Sequence, residues 1–296
     1  MTNIRHGGRR IGFVGIGRMG KPMATNIISA GFPLMVYDIN KKSLREMEQL
    51  GAIVAQDASQ LGEHSDVVIA MLLNYEQIKE VVLTPQGILH SMKRDSTLII
   101  MSSLAPIQIN EIDNIAKDKG VAVLDAPVSG GVSGATAGTL SIMVGGDTEI
   151  FSDNRTLFEA MGKNVKHVGE LGHGCAFKMI NQIMVEVNFA ATAEAMAMAK
   201  MLGLDLEEVF QMVSKSVGSS EVFKRRAPKI INRDFNPEGS VDIAVEDTKN
   251  ILETAMALGI PLPMVAAAYH TFHIARSLGY GAEDEISIIK IYEGFS

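Results

Sequence analysis

Apolar residues recur along this chain in two different rhythms. Up to about residue 170, short apolar runs at Ile11 to Val14, Leu34 to Tyr37, Ile53-Val54, Val67 to Leu72, Thr97 to Met101, Val121 to Leu124 and Leu140 to Val144 alternate with stretches of helical spacing. Buried parallel strands read as continuous apolar runs and amphipathic helices as a period near 3.6, so the alternation predicts a mostly parallel, doubly wound sheet in an α/β fold. After a last run at Val165 to Val168 only helical spacing remains, over Leu206 to Lys215, Glu221 to Ile231, Val241 to Ala257 and Pro263 to Leu278, with breaks at Gly218, Pro237, Gly239, Pro261 and Gly279. The later part is therefore expected to be all helical.

Between the two rhythms lies G-H-G-C-A-F-K-M-I-N, Gly172 to Asn181. Phe177, Ile180, Met184, Val187, Ala191, Ala195 and Met198 follow at helical spacing, which predicts one long helix that is a core element as well as a platform for a site. Lys178 and Asn181 are three apart and share a face of that helix, while Gly172 and Gly174 allow a ligand or another backbone to come close just before it. A lysine on a helix is ordinarily solvated, so this stretch gains weight only from the rest of the chain. The expected division is a tail at 1–10, a sheet domain at 11–170 and a helical domain at 171–296.

The reading of the first domain rests on Gly15-Ile16-Gly17-Arg18-Met19-Gly20, which sits between the first apolar run and a helical pattern, with a second run ending at Asp38. Strand, G-x-G-x-x-G, helix, strand and acid is the context that a dinucleotide fingerprint requires. Its glycines serve a tight turn, the approach of pyrophosphate to backbone, and helix packing, and the helix start offers amides to the phosphates. Asp38 can accept from the adenosine ribose hydroxyls and repels a ribose phosphate, so NAD is favoured over NADP. A second glycine-rich segment, D-A-P-V-S-G-G from Asp125, could turn the Ser129 hydroxyl and the amides of Gly130 and Gly131 toward an anion, or could be a plain hairpin connection. Ligands of such sheets bind beyond the carboxyl ends of the strands, which also marks Leu72 to Asn74 and Ser102-Ser103.

Composition narrows the classes. A chain of 296 residues accommodates two domains, and a formal charge of −7 with pI near 5.5 argues against a nucleic-acid surface. The one basic cluster, His6 to Arg10, reads as a mobile tail; no apolar run reaches the roughly 20 residues that span a membrane, and no signal peptide precedes the first strand. The single cysteine, Cys175, fits a reducing, cytoplasmic setting. No metal motif is present, and His270 and His273 lack an acidic third ligand nearby, so they read as core or surface histidines.

Three motifs together, G-I-G-R-M-G-K-P-M-A-T-N, D-A-P-V-S-G-G and G-H-G-C-A-F-K-M-I-N, are similar to those of the β-hydroxyacid dehydrogenase family, the 3-hydroxyisobutyrate dehydrogenase-like enzymes. The end of the chain, G-Y-G-A-E-D-E-I-S-I-I-K-I-Y, with Val217 to Ser220, is most similar to the L-threonate dehydrogenase branch, and 2-(hydroxymethyl)glutarate dehydrogenase is also close. The resemblance implies a Rossmann-type domain, a long interdomain helix, an all-helical second domain and a homodimer or homotetramer. It implies that Lys178 exchanges a proton with the substrate oxygen, that Asn181 and Gln182 orient the substrate, and that Ser129, Gly130 and Gly131 hold its carboxylate. Gly15, Gly17, Arg18, Met19, Gly20, Asp38, Leu72, Ser103, Glu246 and Asp247 match positions that touch NAD. The chain departs from the family where a proline is usual at Leu73, an acid at Ile100, and a Lys-Asp pair at Glu246-Asp247. A lysine desolvated by a bound substrate can act as base and acid, and the cofactor carries the redox step. The expected activity is thus NAD-dependent oxidation of a small hydroxy acid: a short sugar acid such as a threonate-like compound, or else 3-hydroxyisobutyrate, tartronate semialdehyde or 2-(hydroxymethyl)glutarate. Imine reductases, which usually replace the lysine, and a non-catalytic NAD-sensing protein are the rivals. Glu246 is expected either to pair with Lys249 and leave a pocket that prefers monocarboxylates, or to point to solvent.

Overall fold

The computed structural model describes residues 8–294. Two compact units meet in sequence between Lys178 and Met179.

The first unit is a nine-stranded sheet. Its strands are β1 (Ile11–Val14), β2 (Leu34–Tyr37), β3 (Ile53–Val54), β4 (Val67–Ala70), β5 (Thr97–Ile100), β6 (Ala122–Asp125), β7 (Val128–Ser129), β8 (Leu140–Gly145) and β9 (Gly162–Gly169). They lie in the order β3-β2-β1-β4-β5-β6-β8-β7, with β9 on β8. All pairs from β3 to β6 are parallel; β8 runs against β6 and β7. Successive residues of a strand face opposite sides. Phe13, Ile69, Ile99 and Leu124 accordingly pack in one apolar core, and Val14, Val68, Leu98 and Val123 in another on the opposite face. The glycine-rich segment after Asp125 holds two elements that its small residues conceal: β7, and a short helix over Gly131–Ala137. The run expected to reach Leu72 leaves the strand after Ala70, because Leu72 donates its N–H to the Ser102 hydroxyl (2.9 Å) rather than to a neighbouring strand.

Residues 1–7 of the expected tail lie outside the described residues. Arg9 and Arg10, also placed in that tail, are instead tied to the sheet unit: Arg10 donates three hydrogen bonds to the Asp66 carboxylate, two from its guanidinium (2.6 and 3.2 Å) and one from its backbone amide (2.9 Å), and Arg9 reaches Asp153.

The second unit is helical. Helices Leu206–Val213, Glu221–Ile231, Val241–Leu258 and Pro263–Ala275 match the expected stretches to within a few residues, and a 3-10 turn at Glu285–Ile289 adds a buried segment. Phe189, Phe223, Val245, Phe272 and Ile286 form its core. A buried Asp284 is held there by Lys229 (3.0 Å) and by the Glu238 and Ile286 amides.

The long helix is His173–Met201, 29 residues that begin in the first unit and end in the second. The face expected to be core is the wrong one. Phe177, Ile180, Met184 and Met198 are all more than half exposed, while Phe189, Ala193 and Met196 are buried. This helix is apolar on more than one side, and spacing alone cannot say which side turns into its own chain.

Candidate active site

Register fixes the geometry of the first unit. Tyr37, Val14, Ala70, Ile100 and Asp125 are Cα partners in one row across five strands, so the residues that follow them share the carboxyl rim of the sheet. That rim brings together Gly15 to Gly20, Asp38, Leu72 and Ser103. The strand order reverses between β1 and β4, the place at which open sheets of this kind bind their ligands.

The three loop glycines have three distinct roles here. Gly15 has φ +94°, and a Cβ there would lie 2.2 Å from the Met71 carbonyl oxygen. At Gly20 a Cβ would lie 1.8 Å from the Gly15 oxygen, so the helix Gly20–Ser29 can start there only without a side chain. Around Gly17 a Cβ would meet nothing within 4 Å, and the backbone is open to approach from outside. No side chain caps the Gly20–Ser29 helix, but the Lys21 amide is taken by the Gly17 carbonyl (3.0 Å) and Pro22 has no N–H, so an anion here would be met by the loop amides ahead of the helix. Asp38 accepts from the Ile16 amide (2.6 Å) and the Asn40 amide (2.7 Å), one per oxygen. It thereby clamps the loop, and a carboxylate has acceptor sites beyond these two for ribose hydroxyls. Open backbone, loop amides and an acid at the end of β2 fit a dinucleotide. Arg18 is exposed and Met19 half-buried beside it. Of the departures, Ile100 is fully buried in the sheet and Leu73 is exposed.

Ser129 ends β7, paired with Ser141 of β8, so the hairpin alternative holds for the residues up to Ser129. Gly130 (φ +134°) and Gly131 (φ +65°) then turn the chain through backbone conformations that side chains disfavour. A Cβ at Gly131 would meet nothing within 4 Å, whereas one at Gly130 would come within 3.2 Å of Leu140; Gly130 is exposed, and Ser129 and Gly131 are half-buried.

The start of the Lys178 helix packs on the same rim. Asp125, fully buried, accepts from the Gly172 amide (2.8 Å) and the Cys175 amide (2.6 Å). Burial pushes the Asp125 carboxyl up, against the pull of those amides, and burial likewise pushes the Cys175 thiol well up. Gly174 explains itself: a Cβ there would lie 2.4 Å from the Met143 oxygen and 2.8 Å from the Asp125 carboxylate. Lys178 follows Cys175 by three residues and is half-buried.

Within the second unit a chain of side chains joins three of the expected residues. Asn181 donates its amide to Gln182 (3.0 Å), and Gln182 donates to Asp247 (2.7 Å) and to Glu186 (3.1 Å). Glu186 is fully buried and was not singled out from the sequence, although its place one turn after Gln182 was there to be read. Glu246 does not pair with Lys249. It faces Arg276 at 3.8 Å, Arg276 also binds Asp242 (3.2 Å), and Lys249 reaches Glu253 instead. An i,i+4 pair along the helix and a cation from the segment after Ala275 win over the i,i+3 pairing. Among the described residues no cluster of His, Cys, Asp or Glu could hold a metal, and His270 and His273 are exposed beside Tyr269.

Residues 10–169 match the family described as the NAD binding domain of 6-phosphogluconate dehydrogenase, and residues 172–292 that described as NAD-binding of NADP-dependent 3-hydroxyisobutyrate dehydrogenase. The chain is 33% identical to 2-(hydroxymethyl)glutarate dehydrogenase of Eubacterium barkeri, over 96% of this chain and 95% of that protein. It belongs to the β-hydroxyacid dehydrogenase family. L-threonate dehydrogenase of Cupriavidus necator is 32% identical over 97% of each chain. In this family the fold carries over closely: the crystal structure of a 3-hydroxyisobutyrate dehydrogenase from Salmonella typhimurium superposes with a TM-score of 0.88 at 31% identity, covering 96% of this chain and 99% of that one. The β-hydroxyacid dehydrogenase relatives thus act on several different acids, and no one substrate follows from membership.

Proposed function

We propose that the chain oxidises the alcohol carbon of a small hydroxy carboxylic acid with NAD, and runs the reverse reduction with the same residues. The observation that carries this reading is that the helix bearing Lys178 is anchored through Asp125 to the rim that holds the glycine loop. When bound, NAD supplies the hydride acceptor. Gly15, Gly17, Arg18, Met19, Gly20, Asp38, Leu72 and Ser103 would hold it. Lys178 takes the hydroxyl proton at Nζ during oxidation and returns it during reduction. Ser129 and the amides of Gly130 and Gly131 bind the carboxylate. Asn181, oriented by Gln182, fixes the substrate, and Asp247 supports that pair. Glu246 sets an acidic environment that Arg276 only partly offsets. These charges support a short monocarboxylic sugar acid, threonate-like, over a dicarboxylate. The deciding experiment is a panel of hydroxy acids with NAD, followed by absorbance of the reduced cofactor; a chain that binds NAD and turns over none of them is a sensor, not an enzyme.

A homo-oligomer completes this reading. Phe177, Ile180, Met184, Met198, Met212 and Met256 are all more than half exposed, and a second copy of the chain would cover such residues. No helix among the described residues is long and apolar enough to cross a membrane. A cytoplasmic setting suits the lone buried thiol of Cys175.

A further inference from the structure

We propose that Asp125 is a positioning residue for the reaction, the anchor that sets where Lys178 stands. The claim rests on the proposed role of Lys178 and adds a residue to it. The first amides of a helix have no partner inside the helix and must find one elsewhere. A side chain at the helix's own start usually supplies it, but here a carboxylate arrives from the last residue of β6, 47 and 50 positions earlier in the chain. Each oxygen takes one amide: Oδ1 that of Gly172 at 2.8 Å and Oδ2 that of Cys175 at 2.6 Å. The pair of bonds fixes both the height and the rotation of the first turn.

Glycines at both contacts make the approach possible. A Cβ at Gly145 would lie 2.4 Å from Oδ1, and one at Gly174 would lie 2.8 Å from Oδ2. Gly145 is the residue of β8 that partners Asp125 itself. Strand end, helix start and carboxylate are thus packed with no slack. Lys178 stands three residues past Cys175, about 4.5 Å along the axis at 1.5 Å per residue, so a shift at the start of the helix is passed on through one rigid turn. A misplacement of about 1 Å at a catalytic group can cost on the order of a hundredfold in rate. A buried carboxylate next to helix amides also gains from the helix dipole, so its place here is favourable as well as restrictive.

Asp125→Asn tests the claim, because it keeps the volume but turns an amide donor toward one of the two backbone donors. On the full chain, kcat for the best hydroxy acid should fall by roughly tenfold to a hundredfold, with the NAD dissociation constant nearly unchanged and the melting temperature lowered by only about a few degrees, as one buried donor facing another requires. The primary deuterium isotope effect on kcat should rise, since the chemical step is the one slowed. An unchanged kcat in Asp125→Asn overturns the proposal, and so does a loss that falls equally on NAD binding and stability with no rise in isotope effect. Should Asp125→Asn fail to fold, Gly174→Ala lifts the same helix start, and it must show the same loss confined to kcat or the claim fails. If the wild type turns over no hydroxy acid, the functional reading is what fails. The anchor is then judged by hydrogen exchange at residues 172–178, which speeds up in Asp125→Asn if the carboxylate holds the helix start and stays flat if it does not.

Discussion

The two units of this chain are built on opposite relations between sequence and surface. In the sheet unit, conformation is dictated at the backbone: Gly15 and Gly20 allow contacts that a single Cβ would forbid, and apolar residues point inward from both faces of the strands. In the helical unit apolar residues also stand on open helix faces, Met212 and Met256 among them. A backbone constraint names its residue and its purpose together. An apolar position on a helix says only that something covers it, and the cover can be another copy of the chain.

The contrast can be tested from both sides. Gly20→Ala should have the largest effect: its Cβ is directed at the Gly15 oxygen, and overpacking of this kind costs about 1–3 kcal/mol, so NAD affinity measured by calorimetry should drop by about tenfold to a hundredfold. Unaltered affinity would mean that the loop does not touch the cofactor. Cofactor choice comes next. Asp38 sits at the end of β2, and a like charge against a ribose phosphate is worth about 1–3 kcal/mol, so kcat/KM with NAD should exceed that with NADP by about tenfold or more. Equal use of both cofactors would remove Asp38 from the ribose.

On the helical side, Met198→Glu with Leu202→Glu places charges on the exposed apolar stripe and should reduce the mass seen by light scattering while NAD binding persists. A wild type that is already monomeric refutes the proposed oligomer. The smallest effect is expected at Glu246→Lys, which should improve dicarboxylic substrates by a few-fold and leave monocarboxylates alone, since Glu246 is partly exposed and already near Arg276. No change in preference would place Glu246 away from the substrate.

Legibility followed the same division. The strands, the loop Gly15 to Gly20, Asp38 and the G-H-G-C segment could be read from the sequence because turns and close approaches demand glycine and buried strands demand apolar runs. Asp125 appeared there only as the start of a motif, since the amides it would bind lie 47 and 50 residues further on. Glu186 hid in a helix whose apolar residues drew the attention, and the buried face of that helix was misjudged because both sides carry methionine and alanine. The partner of Glu246 came from Arg276, 30 residues away, beyond the reach of helical spacing.

The central claim is that a cofactor held at the sheet rim and a proton carried by Lys178 are separate duties. Turnover of the best hydroxy acid and the NAD dissociation constant, measured side by side on Lys178→Ala, test it most directly. A loss of kcat by about a hundredfold to ten-thousandfold with NAD affinity nearly intact is predicted. A variant that keeps most of its turnover, or one that loses NAD binding along with it, would contradict the account.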